Sequence, residues 1–180
     1  MAIGKKLNGT LRKFIERQPL FFVATAGRDG RVNVSPKGMD TLRIVSDNRI
    51  VWLNLSGSGN ETAAHIRDVN RMTLMFCAFE GRPLIVRVHG TGEVVEANHE
   101  KFASLSAHFD DYPGVRSIIV VRASRISDSC GYGVPLYEHK GERDQLQRWA
   151  TSKGDDGIAQ YQQDNNAESL DGLPSLLGDH

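Results

Sequence analysis

Pairs of short β-type runs joined by tight turns constrain this chain more than any other feature. Leu20–Ala26 leads through Arg28-Asp29-Gly30 into Val32–Ser35, and Leu42–Ser46 is separated from Arg49–Leu55 only by Asp47-Asn48. Asp, Asn and Gly tolerate positive φ, so these turns are short and the strands they join are antiparallel neighbours. The second run, inside VNVSPKG (Val32–Gly38), stops at Pro36 and presents one lysine, Lys37. Proline fixes its own φ and has no N–H for a ladder, so Lys37 is held at a strand end. The last of the four runs empties at Leu55 into Ser56-Gly57-Ser58-Gly59-Asn60 and a helix start. Strand ends and a helix start thus gather one cation, several hydroxyls and a glycine-loosened backbone, which suits a phosphate-bearing ligand.

Leu7, Leu11, Phe14 and Ile15 recur at helical spacing and predict an amphipathic helix over Asn8–Gln18, ended by Pro19 and plugging one end of a sheet. A second helix is expected over Glu61–Val69, with Asn60 as its N-cap. Strands follow at Met72–Phe79 and Leu84–Glu96, the latter carrying Gly90 and Gly92 where a bulge suits a barrel corner. Asn98–Phe109 reads as a capped helix, Ser117–Ile126 as a β-branched strand, and Glu142–Ser152 as an amphipathic helix with Leu146 and Trp149 on one side. Antiparallel strands with a few helices at their ends give a mainly β fold, a closed or split β-barrel.

We expect one domain over residues 1–153, followed by a polar, acidic tail over 154–180. The tail holds only Leu170, Leu173, Leu176 and Leu177 as anchors, so it either wraps over the body or another subunit, or stays mobile. Lys plus Arg equals Asp plus Glu at 22 each, which leaves no global field for nucleic acid or an anionic membrane. Residues 151–180 hold six acids against one base, a balance of −5, so +5 remains with the body and its anion site. Two cysteines, Cys77 and Cys130, suit a reducing cytoplasm, and no apolar run approaches the ~18 residues of a membrane span.

Gly57-Ser58-Gly59 is neither a Walker loop, since Glu61-Thr62 stands where Lys-Ser/Thr is needed, nor a dinucleotide fingerprint, since the third glycine and the parallel βαβ unit are missing. The six histidines, His180 among them, show no zinc spacing, and no metal is expected. Taken alone, Lys37 also reads as a solvated strand-end lysine.

The order of helix, VATAGRDGRVNVSPKG, RIVWLNLSGSGNETAAHI, RMTLMFCAF and PLIVRVHGTGEVV resembles the pyridoxamine 5′-phosphate oxidase-like family of FMN-binding split barrels over about residues 7–126. The segment SCGYGVPLYEHKGERDQLQRWA resembles a branch of it with undefined substrates. The resemblance implies a homodimer with FMN at the subunit interface. It suggests that Val34 and Ser35 present groups to the flavin ring edge or ribityl chain, that Lys37 closes the first FMN-binding strand, and that Leu55, Ser56, Asn60 and Thr62 belong to the loop and helix start holding the phosphate. The oxidases carry an Arg-Lys pair where this chain has Glu61-Thr62. Arg87 could restore one cation or simply face outward, and Trp149 could cover the flavin from the partner or pack with Leu146.

These expectations describe a cytoplasmic FMN-dependent oxidoreductase acting on an undefined small molecule, with no catalytic residue assigned. The alternatives are a non-enzymatic flavin- or ligand-binding module and a haem-binding split barrel, for which His139 is the one nominee.

Overall fold

Backbone hydrogen bonds join eight strands into one antiparallel sheet in the computed structural model, which describes residues 3–176. Two residues considered above, Leu177 and His180, lie outside the described residues. The strands are β1 (Ile3–Gly4), β2 (Phe21–Ala26), β3 (Val32–Lys37), β4 (Leu42–Ser46), β5 (Arg49–Leu55), β6 (Met72–Cys77), β7 (Ile85–Glu96) and β8 (Val115–Ser129). They lie in the order β3-β2-β6-β7-β8-β5-β4, with β1 paired to β8. Four helices accompany them: α1 (Gly9–Glu16), α2 (Glu61–Asp68), α3 (Phe102–Ser106) and α4 (Gln145–Asn166). This is a split β-barrel with flanking helices.

The helix α1 starts where Asn8 Oδ1 accepts the Leu11 N–H at 2.9 Å, and it buries Leu11, Phe14 and Ile15 in the barrel core. There Phe21 stacks on Phe76 at 5.8 Å and meets the edge of the wholly buried Trp52 at 6.2 Å. A second apolar layer, with Val51, Leu53, Val95, Ile118 and Val120, is covered by Phe102 and Leu105 of α3. Strands β5 and β8 are therefore buried on both faces, which is why they read as apolar runs and not as alternation. The bulge expected at Gly90 is present between His89 and Gly90, and a Cβ there would run into the Arg122 carbonyl.

Several details differ from the sequence reading, beyond shifts of one to three residues at the ends of β6, β7 and β8. Strand β3 continues through Pro36 to Lys37, because it is an edge strand and the missing N–H removes no ladder bond. The helix expected over Asn98–Phe109 is reduced to Phe102–Ser106. Asn60 occupies the N-cap position of α2 without a side-chain capping bond. The helix expected over Glu142–Ser152 starts at Gln145 and continues to Asn166, across a break at Gly154 (φ 66°).

That break folds α4 back on itself. The rings of Trp149 and Tyr161 lie 4.8 Å apart edge-to-face, whereas twelve residues of straight helix would span ~18 Å. The two arms bury Ala150 and Ile158, and a Cβ on Gly114 would touch both of them. Beyond this bend the distal arm lies on the barrel, where Gln162 reaches Ser56 and Asn166 reaches Arg116. No described helix is long and apolar enough to cross a membrane.

Candidate ligand site at the strand β3 and helix α2 ends

Alternation along β3 turns Asn33, Ser35 and Lys37 toward the barrel and leaves Val32 (71% exposed), Val34 (61%) and Pro36 facing outward. On the inward side a polar chain crosses the strands. Ser35 Oγ donates to Asn33 Oδ1 at 3.0 Å, Asn33 Nδ2 donates to Thr25 Oγ1 at 3.2 Å, and Thr25 Oγ1 lies 3.0 Å from His65 Nδ1. The register pairs Val23 with Ser35 and Phe21 with Lys37, so the lysine is the last inward residue of β3.

Lys37 is half-buried, and among the described residues its ammonium has no hydrogen-bond or ion-pair partner. Loss of hydration, followed by repulsion from Arg116, lowers its pKa from 10.5 to about 8. Arg116 itself is 7% exposed and has no carboxylate partner among the described residues. Its Nη1 donates to the Gly59 carbonyl at 2.9 Å and to Asn166 Oδ1 at 2.6 Å, and its Nη2 donates to Asn54 Oδ1 at 3.3 Å. Its Nε is buried without a partner among the described residues. Burial lowers the guanidinium pKa from its ordinary value to about 10, so it stays charged at neutral pH. Two neighbouring cations without a counter-charge cost folding energy unless an anion joins them.

The loop before α2 is held from behind. Ser56 Oγ donates to the Gly114 carbonyl and accepts from Gln162 Nε2, each at 2.8 Å. Asn60 Oδ1 accepts from Asn54 Nδ2 at 3.0 Å, and Asn60 Nδ2 donates to the Ser175 carbonyl at 2.8 Å. The side chains of Ser56 and Asn60 therefore anchor the loop, correcting the expectation of a capping Asn60. Leu55 ends β5 at a register shift, and Thr62 is buried in the first turn of α2. Glu61 accepts the Leu170 N–H at 2.9 Å. At Gly57 a Cβ would meet nothing within 4 Å, so the loop faces open space.

The remaining residues named from sequence stand elsewhere. Arg87 donates to Ser129 Oγ at 3.1 Å and pairs across the ladder with Ser127. Arg116 adjoins the Glu96–Ser117 pair, nine residues and ~30 Å along β7 from Arg87, so one chain does not bring these two cations together. Trp149 is engaged with Tyr161 and, at 5.5 Å, with the Lys153 ammonium. His139 is exposed and lies 3.2 Å from Glu142 Oε1. Three contributors escaped the sequence reading: Arg116, Asn54 and Asn166. Arg116 did carry a trace, as an arginine directly ahead of a long apolar run.

A cavity of about 1920 Å³, open to solvent, is lined by α1, the β6–β7 turn and the 130–142 segment, with Phe14, Phe79, Tyr132 and Tyr137 in its walls. It does not include Lys37 or Arg116 and reaches their neighbourhood only at Gly38. The polar cluster, with its uncompensated charge, is the better-defined ligand site.

The sheet order, with helices at its ends, defines the chain as a split-barrel protein. The sequence profile of the pyridoxamine 5′-phosphate oxidase family matches residues 7–130, and the chain belongs to that family. It is 33% identical to the pyridoxamine 5′-phosphate oxidase family protein ustO of Aspergillus flavus, over 96% of this chain and 76% of the relative. Among solved structures, HupZ of Group A Streptococcus is 20% identical, with a TM-score of 0.56, covering 69% of this chain and 94% of that one. An FMN-binding protein from Syntrophomonas wolfei is 16% identical, with a TM-score of 0.50, covering 71% and 85%. These two likenesses establish the fold.

Proposed function

We propose that this protein is a cytoplasmic, homodimeric flavoprotein that binds FMN and carries out oxidation or reduction of a small molecule. The observation that carries the reading is the buried Arg116 and the half-buried Lys37, two cations with no ion-pair partner among the described residues. Lys37, Arg116 and the Gly57–Asn60 loop would hold the phosphate, and Val34 and Ser35 the ring edge or ribityl chain. The FMN-binding description of the Syntrophomonas wolfei protein supports the choice of flavin. When bound, FMN supplies the redox chemistry, and the protein contributes binding, orientation and shielding from water.

The outward Val32, Val34 and Pro36 give β3 an apolar face suited to a second copy of the chain. The open cavity beside Gly38 gives room for a small substrate. Free thiols at Cys77 and Cys130 agree with a reducing compartment.

Mass spectrometry of cofactor released from the purified protein, together with FMN titration of the stripped protein, tests the reading. FMN release and saturable quenching of its fluorescence are expected; no flavin and no binding would refute it. A non-catalytic flavin carrier is the second reading, favoured by the Glu61 carboxylate at the start of α2. Reduction of the bound flavin by a nicotinamide donor no faster than that of free FMN would select it.

A further inference from the structure

The C-terminal arm of α4 reaches the anion site through one side chain. Asn166 is wholly buried. Its Oδ1 accepts from Arg116 Nη1 at 2.6 Å, and its Nδ2 donates to the Gly57 carbonyl at 2.9 Å. Its backbone carbonyl accepts a short hydrogen bond from Ser175 Oγ, and the Ser175 carbonyl accepts from Asn60 Nδ2. One residue therefore ties together the buried guanidinium and the glycine loop through its side chain and the returning chain through its backbone. A carboxylate is the ordinary partner of a buried arginine, because it supplies both hydrogen bonds and neutralisation. Here the acceptor is neutral, so Arg116 is held in place with its charge undiminished while its Nε remains unpartnered.

We propose that Asn166 is a specificity-determining residue of the ligand site: it positions Arg116 without neutralising it, which makes the distal arm of α4 a third wall of the phosphate site. The inference rests on the reading that Lys37 and Arg116 receive a phosphate. It adds that the arm, residues 155–166, belongs to the site and that a neutral residue is required at its contact. Gln162, one turn earlier, repeats the pattern with an amide on Ser56.

Two substitutions in the full chain separate charge from structure. Asn166→Ala deletes both hydrogen bonds and adds no charge, whereas Asn166→Asp keeps the acceptor toward Arg116 and adds the charge. Affinity for FMN and for inorganic phosphate is measured by calorimetric titration, and docking of the arm by the rate of tryptic cleavage after Lys153. Asn166→Asp is expected to weaken both ligands at least tenfold. Asn166→Ala is expected to weaken both ligands by a smaller factor, about threefold, as Arg116 loses its positioning bond, while cleavage quickens. Equal affinities for the Asp and Ala variants would overturn the proposal. Should Asn166→Asp fail to fold, Gln162→Glu replaces it: weakening of threefold or more supports the proposal, and unchanged affinity overturns it. Wild-type protein that binds phosphate but not FMN would remove the flavin reading and leave the role of Asn166 standing. Wild-type protein that binds neither would remove both.

Discussion

Lys37, at the end of edge strand β3, lies close enough to the buried Arg116 of β8 for the arginine's charge to help lower its pKa to about 8. No carboxylate offsets either residue among the described residues. The site thus stores repulsion that an anion relieves, and this gives its ligand affinity a definite pH dependence.

Lys37 is a base whose folded-state pKa lies below its ordinary 10.5. Between about pH 8 and 10.5 the unfolded chain binds the extra proton, so this group makes stability rise with pH across that window. Phosphate affinity moves the opposite way, falling above about pH 8 as the ammonium is lost, while Arg116 remains charged to about pH 10. FMN titrations from pH 7 to 9.5 are expected to show this fall in the wild type and a flat profile in Lys37→Met. Parallel slopes would place the phosphate away from Lys37.

Arg116→Gln keeps a donor for the neighbouring carbonyls and removes the charge. A charge-assisted bond to phosphate contributes about 1.5–3 kcal/mol, so FMN affinity is expected to fall roughly 10- to 100-fold. Circular dichroism should retain the β spectrum. Unaltered affinity in a folded variant would contradict the role given to Arg116.

Val34→Asp places a carboxylate on the exposed apolar face of β3 without entering the core. Light-scattering mass is expected to shift from two chains to one, with loss of retained flavin. A variant that remains dimeric and yellow would move the interface elsewhere.

Gly90→Ala forces a methyl group toward the Arg122 carbonyl across the β7–β8 ladder. Overpacking of this kind costs about 1–3 kcal/mol, read as a lower urea midpoint at constant m-value. An unchanged midpoint would mean that the bulge yields freely.

Much of the barrel was legible because its information is local. The Asp29-Gly30 and Asp47-Asn48 turns specify hairpins, and the period of Leu11, Phe14 and Ile15 specifies α1. Lys37 and the loop before α2 were legible as chemistry for the same reason. Arg116 was not, because a lone arginine ahead of a strand gains meaning only when β8 pairs with β5 and buries it beside Asn54. The distal arm of α4 was hidden for a related reason. Its residues are mostly polar, and it is held by Ile158 and by amides that find partners 50 to 109 positions away. Pro36 misled in the other direction, since a proline ends a strand only where its N–H would have been needed.

The geometry of β3 also limits what can follow from its exposure. An apolar edge is the kind of surface on which strands add one after another into fibrils, yet Pro36 interrupts its row of donors, and Val32 and Val34 offer their side chains on the outer face. A neighbour can press against this face, but it cannot prolong the ladder past the proline. Crowding of these molecules therefore favours finite association over unlimited polymerisation.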